Sequence, residues 1–378
     1  MEMNPKVAII HPWMPQYRTA FFNELNERLA ERDIDLKVFF GDTPPEWRAR
    51  NDSAVPPGMV RLPTRFIRLG NRVIGYKALS AVRASGPYDL LIVEQAVRNI
   101  ETYKLLATRP VRTRIAYWGH GRTYTASKAA IEETLKAKMT LRSEWFFGYT
   151  AGGVNEMVRR GFPAERTTVV QNSIDTTKFR RNLQSISDDE VSEFKTGFGF
   201  SDATCLYIGG VDNSKRIDFL IQAGQRIFEK NSMFKLMVVG AGDQLDALTK
   251  KAAELPWLTV HGPLFDRQKA IVFRAARMIL NPGRVGLVAV DSLTAGVPIV
   301  TTDWPFHAPE FEYLNSGETM LVTANSSDDY ADTVLRALDD DALIDALSQN
   351  CLRVAGSYSI EAMAERFKEG IVGALATR

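Results

Sequence analysis

Short runs of Val, Ile and Leu alternate with longer amphipathic stretches along all 378 residues, and few folds accept that pattern. In the first half, KVAII, IDLKVFF, DLLIVE, RIAYW, WFFGYT and TTVVQN read as strands. In the second half, TCLYIGG, FKLMVVG, LTVHG, MILNP, PIVTT and TMLV do the same. Between them, RTAFFNELNERLAER sets Phe22, Leu25 and Leu29 on one helical face. RIDFLIQAGQRIFEK does likewise with Phe219, Leu220, Ala223 and Ile227. Strands that are apolar almost throughout are buried on both sides, so each series predicts a parallel sheet covered by helices. The expected class is α/β, with two doubly wound, Rossmann-like domains.

A polar, charge-rich segment, SIDTTKFRRNLQSISDDEVSEFKTGFGFS, interrupts the periodicity between the two series. It sets the expected domains at 1–178 and 179–357. The remaining 358–378 reads as an amphipathic helix, YSIEAMAERFKEGIVGALA, that packs back toward the first domain. Open parallel sheets bind ligands outside the carboxyl ends of their strands. Two such domains are therefore expected to face a cleft that holds the ligand.

Composition narrows the partners. No apolar run approaches the ~18 residues of a spanning helix, and MEMNPKVAII enters a strand with no signal-peptide pattern, so a cytoplasmic location is expected. Cys205 and Cys351 are the only cysteines, too few for a disulfide framework or a thiolate metal site. The net charge of +2 conceals an asymmetry: residues 1–180 hold 28 Lys and Arg against 18 Asp and Glu, while 181–378 hold 19 against 27. The basic half suits an anionic partner. No nucleic-acid recognition motif accompanies it, whereas a phospholipid surface or a lipid phosphate fits.

The candidate chemistry lies at strand ends. After MILNP comes GRVGLVAVDSLTAGVPIVTT, residues 283–302, a loop leading into a helix. The backbone N–H groups of Gly286, Leu287 and Val288 at that helix start predict an anion site, most naturally for a phosphate. Asp291, one turn in, is within reach of a sugar hydroxyl attached to it. YIGGVDNSKRIDF puts Gly209 and Gly210 at another strand end, followed by Lys215, a point charge for a phosphate. VVGAGDQL adds Gly240 and Gly242, and VHGPLFDRQ adds Gly262 and Pro263.

In this order and spacing the chain resembles the retaining glycosyltransferases of family four, which have the two-domain GT-B fold. The likeness runs through VVQNSIDTTKF, IGGVDNSKRIDFLIQA, VVGAGD, GVPIVTT and HAPEFEYLNSGETMLV. HPWMPQYRTAFFNEL and RIAYWGHGR look like branches acting on bacterial surface polysaccharides. The chain departs from the pattern in two places. Gly210 stands where the family has arginine, although Lys215 is retained, and Arg216 or Arg284 is the candidate replacement charge. The family's two glutamates fall on Gly283 and Asp291, so the first acid is missing and the second is one methylene shorter.

The resemblance implies an acceptor-binding first domain and a nucleotide-sugar-binding second domain. Its donor site comprises Gly209, Gly210, Lys215, Arg216, Gly240, Gly262, Pro263, Arg284, Gly286, Leu287, Val288 and Asp291. The catalytic assignments are Lys215, at the leaving diphosphate, and His120 of WGHGR, at the donor sugar. Gln16, Tyr17 and Arg18 of MPQYR, with His307 of WPFHAPEFE, are the expected acceptor contacts. Front-face attack requires no protein nucleophile, and neither a metal nor another cofactor is expected. Two alternatives keep the same fold: a silent nucleotide-sugar-binding protein and a sugar-nucleotide epimerase.

The acceptor is expected to be a saccharide or a lipid-linked sugar at the inner face of a membrane. In RLPTRFIRLGNRVIGYKALSAVR, the cations Arg61, Arg65, Arg68, Arg72, Lys77 and Arg83 alternate with Phe66, Ile67, Leu69, Ile74 and Tyr76. Lys128, Lys136, Lys138 and Arg142 add to them. Cations mixed with apolar side chains suit an anionic lipid surface.

Overall fold

A computed structural model describes residues 4–45, 53–70, 72–108, 112–124 and 130–377. Lys128 and the side chain of Arg72 lie outside the described residues. The chain divides into two compact units, Met1–Ile174 with Ile360–Arg378, and Asp175–Ser359.

In the first unit the strands are β1 (Lys6–His11), β2 (Asp35–Phe40), β3 (Val60–Arg61), β4 (Thr64–Leu69), β5 (Arg72–Lys77), β6 (Leu90–Glu94), β7 (Arg114–Gly119), β8 (Trp145–Gly148) and β9 (Thr167–Val169). Its helices are α1 (Gln16–Ala30), α2 (Ser80–Ser85), α3 (Ile100–Thr108), α4 (Ala130–Thr140) and α5 (Ala151–Arg159), joined by the C-terminal Ile360–Ala376. Seven strands form one parallel sheet in the order β3-β2-β1-β6-β7-β8-β9. Phe21, Phe22, Leu25 and Leu29 of α1 are buried. They share a core with Ile360, Met363, Ala364, Phe367 and Ile371 of the C-terminal helix, an apolar stripe at helical spacing. Phe367 stacks on Phe147 of β8, ring centroids 4.4 Å apart.

β4 and β5 form a separate antiparallel hairpin, pairing Arg65 with Tyr76 and Ile67 with Ile74. The strand–helix alternation did not predict this element.

The second unit contains α6 (Thr176–Gln184), α7 (Asp188–Phe198), β10 (Thr204–Gly210), α8 (Ile217–Lys230), β11 (Lys235–Ala241), α9 (Leu245–Ala252), β12 (Leu258–His261), α10 (Asp266–Ala275), β13 (Ile279–Leu280), α11 (Val288–Ala295), β14 (Ile299–Thr302), β15 (Met320–Thr323), α12 (Ser327–Leu338) and α13 (Asp341–Val354). The C-terminal helix is therefore α14. Six strands form a second parallel sheet, β12-β11-β10-β13-β14-β15.

The expected boundary at 178/179 falls inside α6, which starts earlier because Asp175 caps it, accepting from the Lys178 N–H at 2.8 Å. The charge-rich segment is two helices. α7 opens on a capping box in which Ser187 and Glu190 bond each other's backbone N–H. The second crossing lies at Ser359/Ile360, two residues beyond the expected one. Among the described residues, no helix is long and apolar enough to cross a membrane.

Candidate functional site

In the second unit, β10 and β13 are neighbours although two strands and three helices separate them in sequence. The direction of winding reverses there, which is where a doubly wound sheet opens a crevice at its carboxyl edge. The loop after β10 and the loop after β13 meet at that point. The Arg284 N–H donates to the Ser214 carbonyl at 2.9 Å, and the Lys215 ammonium donates to the Arg284 carbonyl. The two segments touch so closely that a Cβ on Gly283 would lie 2.5–2.7 Å from backbone atoms of Lys215.

The two candidate replacement arginines are both held by the protein. Arg216, in left-handed backbone at φ 57°, donates to the Pro282 carbonyl at 3.1 Å and to Oγ1 of Thr302 at 3.2 Å. Its guanidinium lies between the rings of Phe219 (4.2 Å) and Trp304 (4.5 Å), so it braces the loops. Arg284 is half-buried and donates to the Phe306 carbonyl at 2.9 Å. Burial lowers its pKa, while the carboxylates of Glu310 and Asp212 oppose that shift.

α11 begins at this junction. No side chain caps it, and the hydrogen bonds of the described residues include none from the N–H groups of Gly286, Leu287 or Val288. Those expected donors are unspent and stand beside Lys215. The preceding N–H, that of Val285, is committed to Nδ1 of His307 at 3.1 Å. Nδ1 is then an acceptor, so Nε2 carries the hydrogen and donates to the Thr302 carbonyl at 3.0 Å. His307 also stacks on Phe311, centroids 3.9 Å apart. Burial holds its pKa below the ordinary value. Both ring nitrogens are thus engaged by backbone, and His307 is a neutral brace in place of the expected acceptor contact.

Asp291 lies one turn into α11, as expected, but its carboxylate is partnered. Lys269 of α10 bonds it at 2.5 Å, with side-chain exposures of 22% and 12%. The ammonium also lies 4.6 Å from the Phe179 ring. Burial raises the Asp291 pKa and Lys269 opposes the rise. Nothing in the linear sequence links Lys269 to Asp291. Glu310 was also missed, although it belongs to the HAPEF run; it is only 5% exposed and faces Arg284.

The predicted glycines divide by their surroundings. A Cβ on Gly240 would strike the Gly209 carbonyl at 1.8 Å, so that glycine serves the close approach of β10 and β11. Gly210 ends β10, its carbonyl accepting from the Tyr207 hydroxyl. Gly262 and Pro263 are exposed after β12, the edge strand, two strands away from β10.

In the first unit, His120 is exposed beyond β7, its ring 4.5 Å from that of Tyr149 and 6.1 Å from that of Tyr124. Gln16 and Tyr17 are exposed at the start of α1, which lacks a side-chain cap. Arg18 turns inward and is 2% exposed. It donates to Oδ1 of Asn172 at 2.7 Å and lies 5.1 Å from the Trp118 ring. Arg18, expected as an acceptor contact, thus directs its guanidinium into the unit.

The basic surface also contracts. Lys77 is buried and paired with Glu101 at 2.7 Å; Lys136 is paired with Glu133 at 2.8 Å. Arg65, Arg68 and Ile67 remain exposed on the hairpin, Ile67 by 55%.

Comparison with known proteins locates the same half of the chain. Residues 202–340 match the family model described as Glycosyl transferases group 1. A phosphatidyl-myo-inositol mannosyltransferase of Mycobacterium leprae is 27% identical over 146 residues, 37% of this chain and 38% of the relative. An alpha-monoglucosyldiacylglycerol synthase of Streptococcus pneumoniae is 23% identical over 146 residues, 36% and 33% of the two chains. The match thus spans 38% and 33% of the two curated relatives' own lengths. Over nearly the whole chain the fold matches solved GT-B structures with two Rossmann-like domains. HepE of Anabaena, solved with UDP and glucose, superposes with a TM-score of 0.68 at 12% identity, covering 98% of this chain and 100% of the other. A glycosyltransferase from Rickettsia africae gives 0.72 at 10% identity, covering 99% and 100%.

Proposed function

We propose that this protein is a retaining glycosyltransferase of the family-four type. It moves a sugar from a nucleotide diphosphate donor to a saccharide or lipid-linked acceptor in polysaccharide or glycolipid biosynthesis. The observation that carries this reading is the unspent N–H triad of Gly286, Leu287 and Val288 beside Lys215, at the winding reversal of the sheet within the group 1 segment. Fixed N–H dipoles and an ammonium suit a diphosphate, whose charge grows as the glycosidic bond breaks. The departing phosphate can take the acceptor proton, so neither a protein nucleophile nor a metal is assigned. His120 is assigned to the donor sugar, and exposed Gln16 and Tyr17 to the acceptor.

Support for a nucleotide-sugar donor comes from HepE, solved with UDP-glucose. Support for a lipid acceptor comes from the two curated relatives, one named for the lipid it mannosylates and the other for the glycolipid it makes. A cytoplasmic, peripheral position at the inner membrane face is part of this reading, and the exposed cations of the first unit support it.

Incubation with UDP-, GDP- and dTDP-sugars, after a thermal-shift panel of the same donors, tests the assignment. Transfer with retained anomeric configuration is expected. Inversion would remove the retaining mechanism, and absence of binding by every donor would remove the function. One observation favours a second reading, a silent nucleotide-sugar-binding protein: the strand-end acid is absent at Gly283, and its side-chain space is filled by Lys215 backbone. Binding without turnover for any donor and acceptor would establish that reading.

A further inference from the structure

The geometry points to Glu310 as a specificity-determining residue that accepts hydrogen bonds from hydroxyls of the transferred sugar. This assignment rests on the donor site proposed above. The turn carrying Glu310 is fastened to the start of α11 by two hydrogen bonds, Ala308 N–H to the Val285 carbonyl at 2.8 Å and Val285 N–H to Nδ1 of His307 at 3.1 Å. This docking brings Oε2 of Glu310 to 3.9 Å from the point where Gly286 would carry a Cβ. Gly286 is the first of the three unspent N–H donors.

A carboxylate beside an anion site opposes the anion, so phosphate binding alone does not account for it. Facing Arg284 offsets the charge but does not exhaust a carboxylate, which offers about four lone-pair sites. An ionised carboxylate accepts and never donates. Its complement next to a phosphate is therefore a hydroxyl on whatever the phosphate carries. Position 283 cannot supply this group, because any side chain there meets Lys215 backbone. At Gly286 the situation is reversed. A Cβ there would stand 3.5 Å from that of Ala308, an ordinary contact, so the protein's own packing does not require a glycine. With glycine there, no Cβ stands between the carboxylate and the N–H groups.

The test compares wild type with Glu310→Gln by calorimetric titration with UDP, UDP-glucose, GDP and GDP-mannose. Wild type should bind a sugar nucleotide more tightly than its bare diphosphate. Glu310→Gln should bind the bare diphosphate equally or more tightly and lose about tenfold or more for the sugar nucleotide. Equal weakening of both ligands, or an unchanged ratio between them, overturns the assignment and leaves the donor site standing. Wild type that binds none of the four overturns the donor site itself. If Glu310→Gln does not fold, Glu310→Asp keeps the charge against Arg284 and withdraws it by one methylene. The same selective loss is expected, and a proportional loss overturns the assignment.

Discussion

The backbone of Lys215 occupies the space that any side chain at Gly283 would require, with the carbonyl carbon 2.5 Å and the oxygen 2.6 Å from an ideal Cβ. The glycine and the position of the lysine are therefore one feature. The loop after β10 can cross the end of β13 only because residue 283 lacks a side chain, and the crossing places the ammonium beside the start of α11.

Gly283→Ala should therefore destabilise the second unit. Backbone cannot rotate away as a side chain can, so the cost should be about 1–3 kcal/mol, as for other overpacked sites. Gly283→Glu, which supplies the acid of the family-four pattern that the chain resembles, should be at least as costly and should not raise transfer activity. Chemical denaturation and donor titration check both, and a Gly283→Glu variant of undiminished stability would show that the crossing loop yields.

Lys215→Ala should weaken binding of a nucleoside diphosphate more than that of the free nucleoside. Removing a charged hydrogen bond to the diphosphate costs about 1.5–3 kcal/mol, and the nucleoside has no diphosphate to lose. Calorimetry on the pair is the measurement. Equal losses would mean that Lys215 acts only through its bond to the Arg284 carbonyl.

The sheets were legible because their strands are apolar on both faces, a pattern that survives without knowledge of any contact. The loop glycines and the start of α11 followed from those strands. What escaped reading depends on partners remote in sequence. Arg18 looked like a strand-end cation facing outward, but its partners Asn172 and Met363 are 154 and 345 positions away. Lys77 likewise belonged to an alternating basic stretch until Glu101 claimed it. Asp291 was placed on the correct turn, whereas the direction of its carboxylate depended on Lys269 from another helix.

Lys269→Met should cost more stability at pH 8 than at pH 5. Burial already raises the Asp291 pKa above its ordinary value, and Lys269 is what restrains it. Without the ammonium, the folded-state pKa rises further while the unfolded value is unchanged. Above the folded pKa a buried, unpaired carboxylate remains, and breaking a buried pair costs about 3–5 kcal/mol, toward the lower end for this partly accessible one. As pH falls through that pKa, Asp291 takes up a proton in the folded state and the deficit shrinks. Urea unfolding of both proteins at the two pH values gives the comparison; a deficit independent of pH would count against the pair as the cause.

His307 should make the second unit sensitive to acid. Burial is the main cause of its lowered pKa, with Lys215 and Arg284 adding to it against the bond to Thr302. The folded state therefore binds the proton less readily than the unfolded state, whose histidine titrates near about 6.5. The stability this group contributes is complete above that value and is lost progressively as pH falls toward the folded pKa. His307→Asn can still accept from the Val285 N–H, so it should flatten the stability profile between pH 7 and 5 while lowering its plateau. A profile as steep as that of wild type would assign the sensitivity to other groups, of which His261 of the same unit, its pKa also lowered by burial, is the first candidate.

The hairpin of β4 and β5 should be the part of the first unit that meets an anionic membrane. Arg65 and Arg68 are exposed there, with Ile67 between them exposed by 55%. This is a smaller surface than the basic stretch promised, because Lys77 and Lys136 are spent on carboxylates. At about 1 kcal/mol per cation near an anionic leaflet, two arginines and an exposed isoleucine give weak, salt-sensitive association. Flotation at low salt should therefore succeed with anionic liposomes, fail with neutral ones and decline as salt rises. Arg65→Glu with Arg68→Glu should abolish it, while donor affinity, to which no hairpin residue is assigned, stays within twofold of wild type. Equal flotation on neutral liposomes would remove the electrostatic basis, and unchanged flotation of the double variant would move the contact to cations elsewhere on the unit.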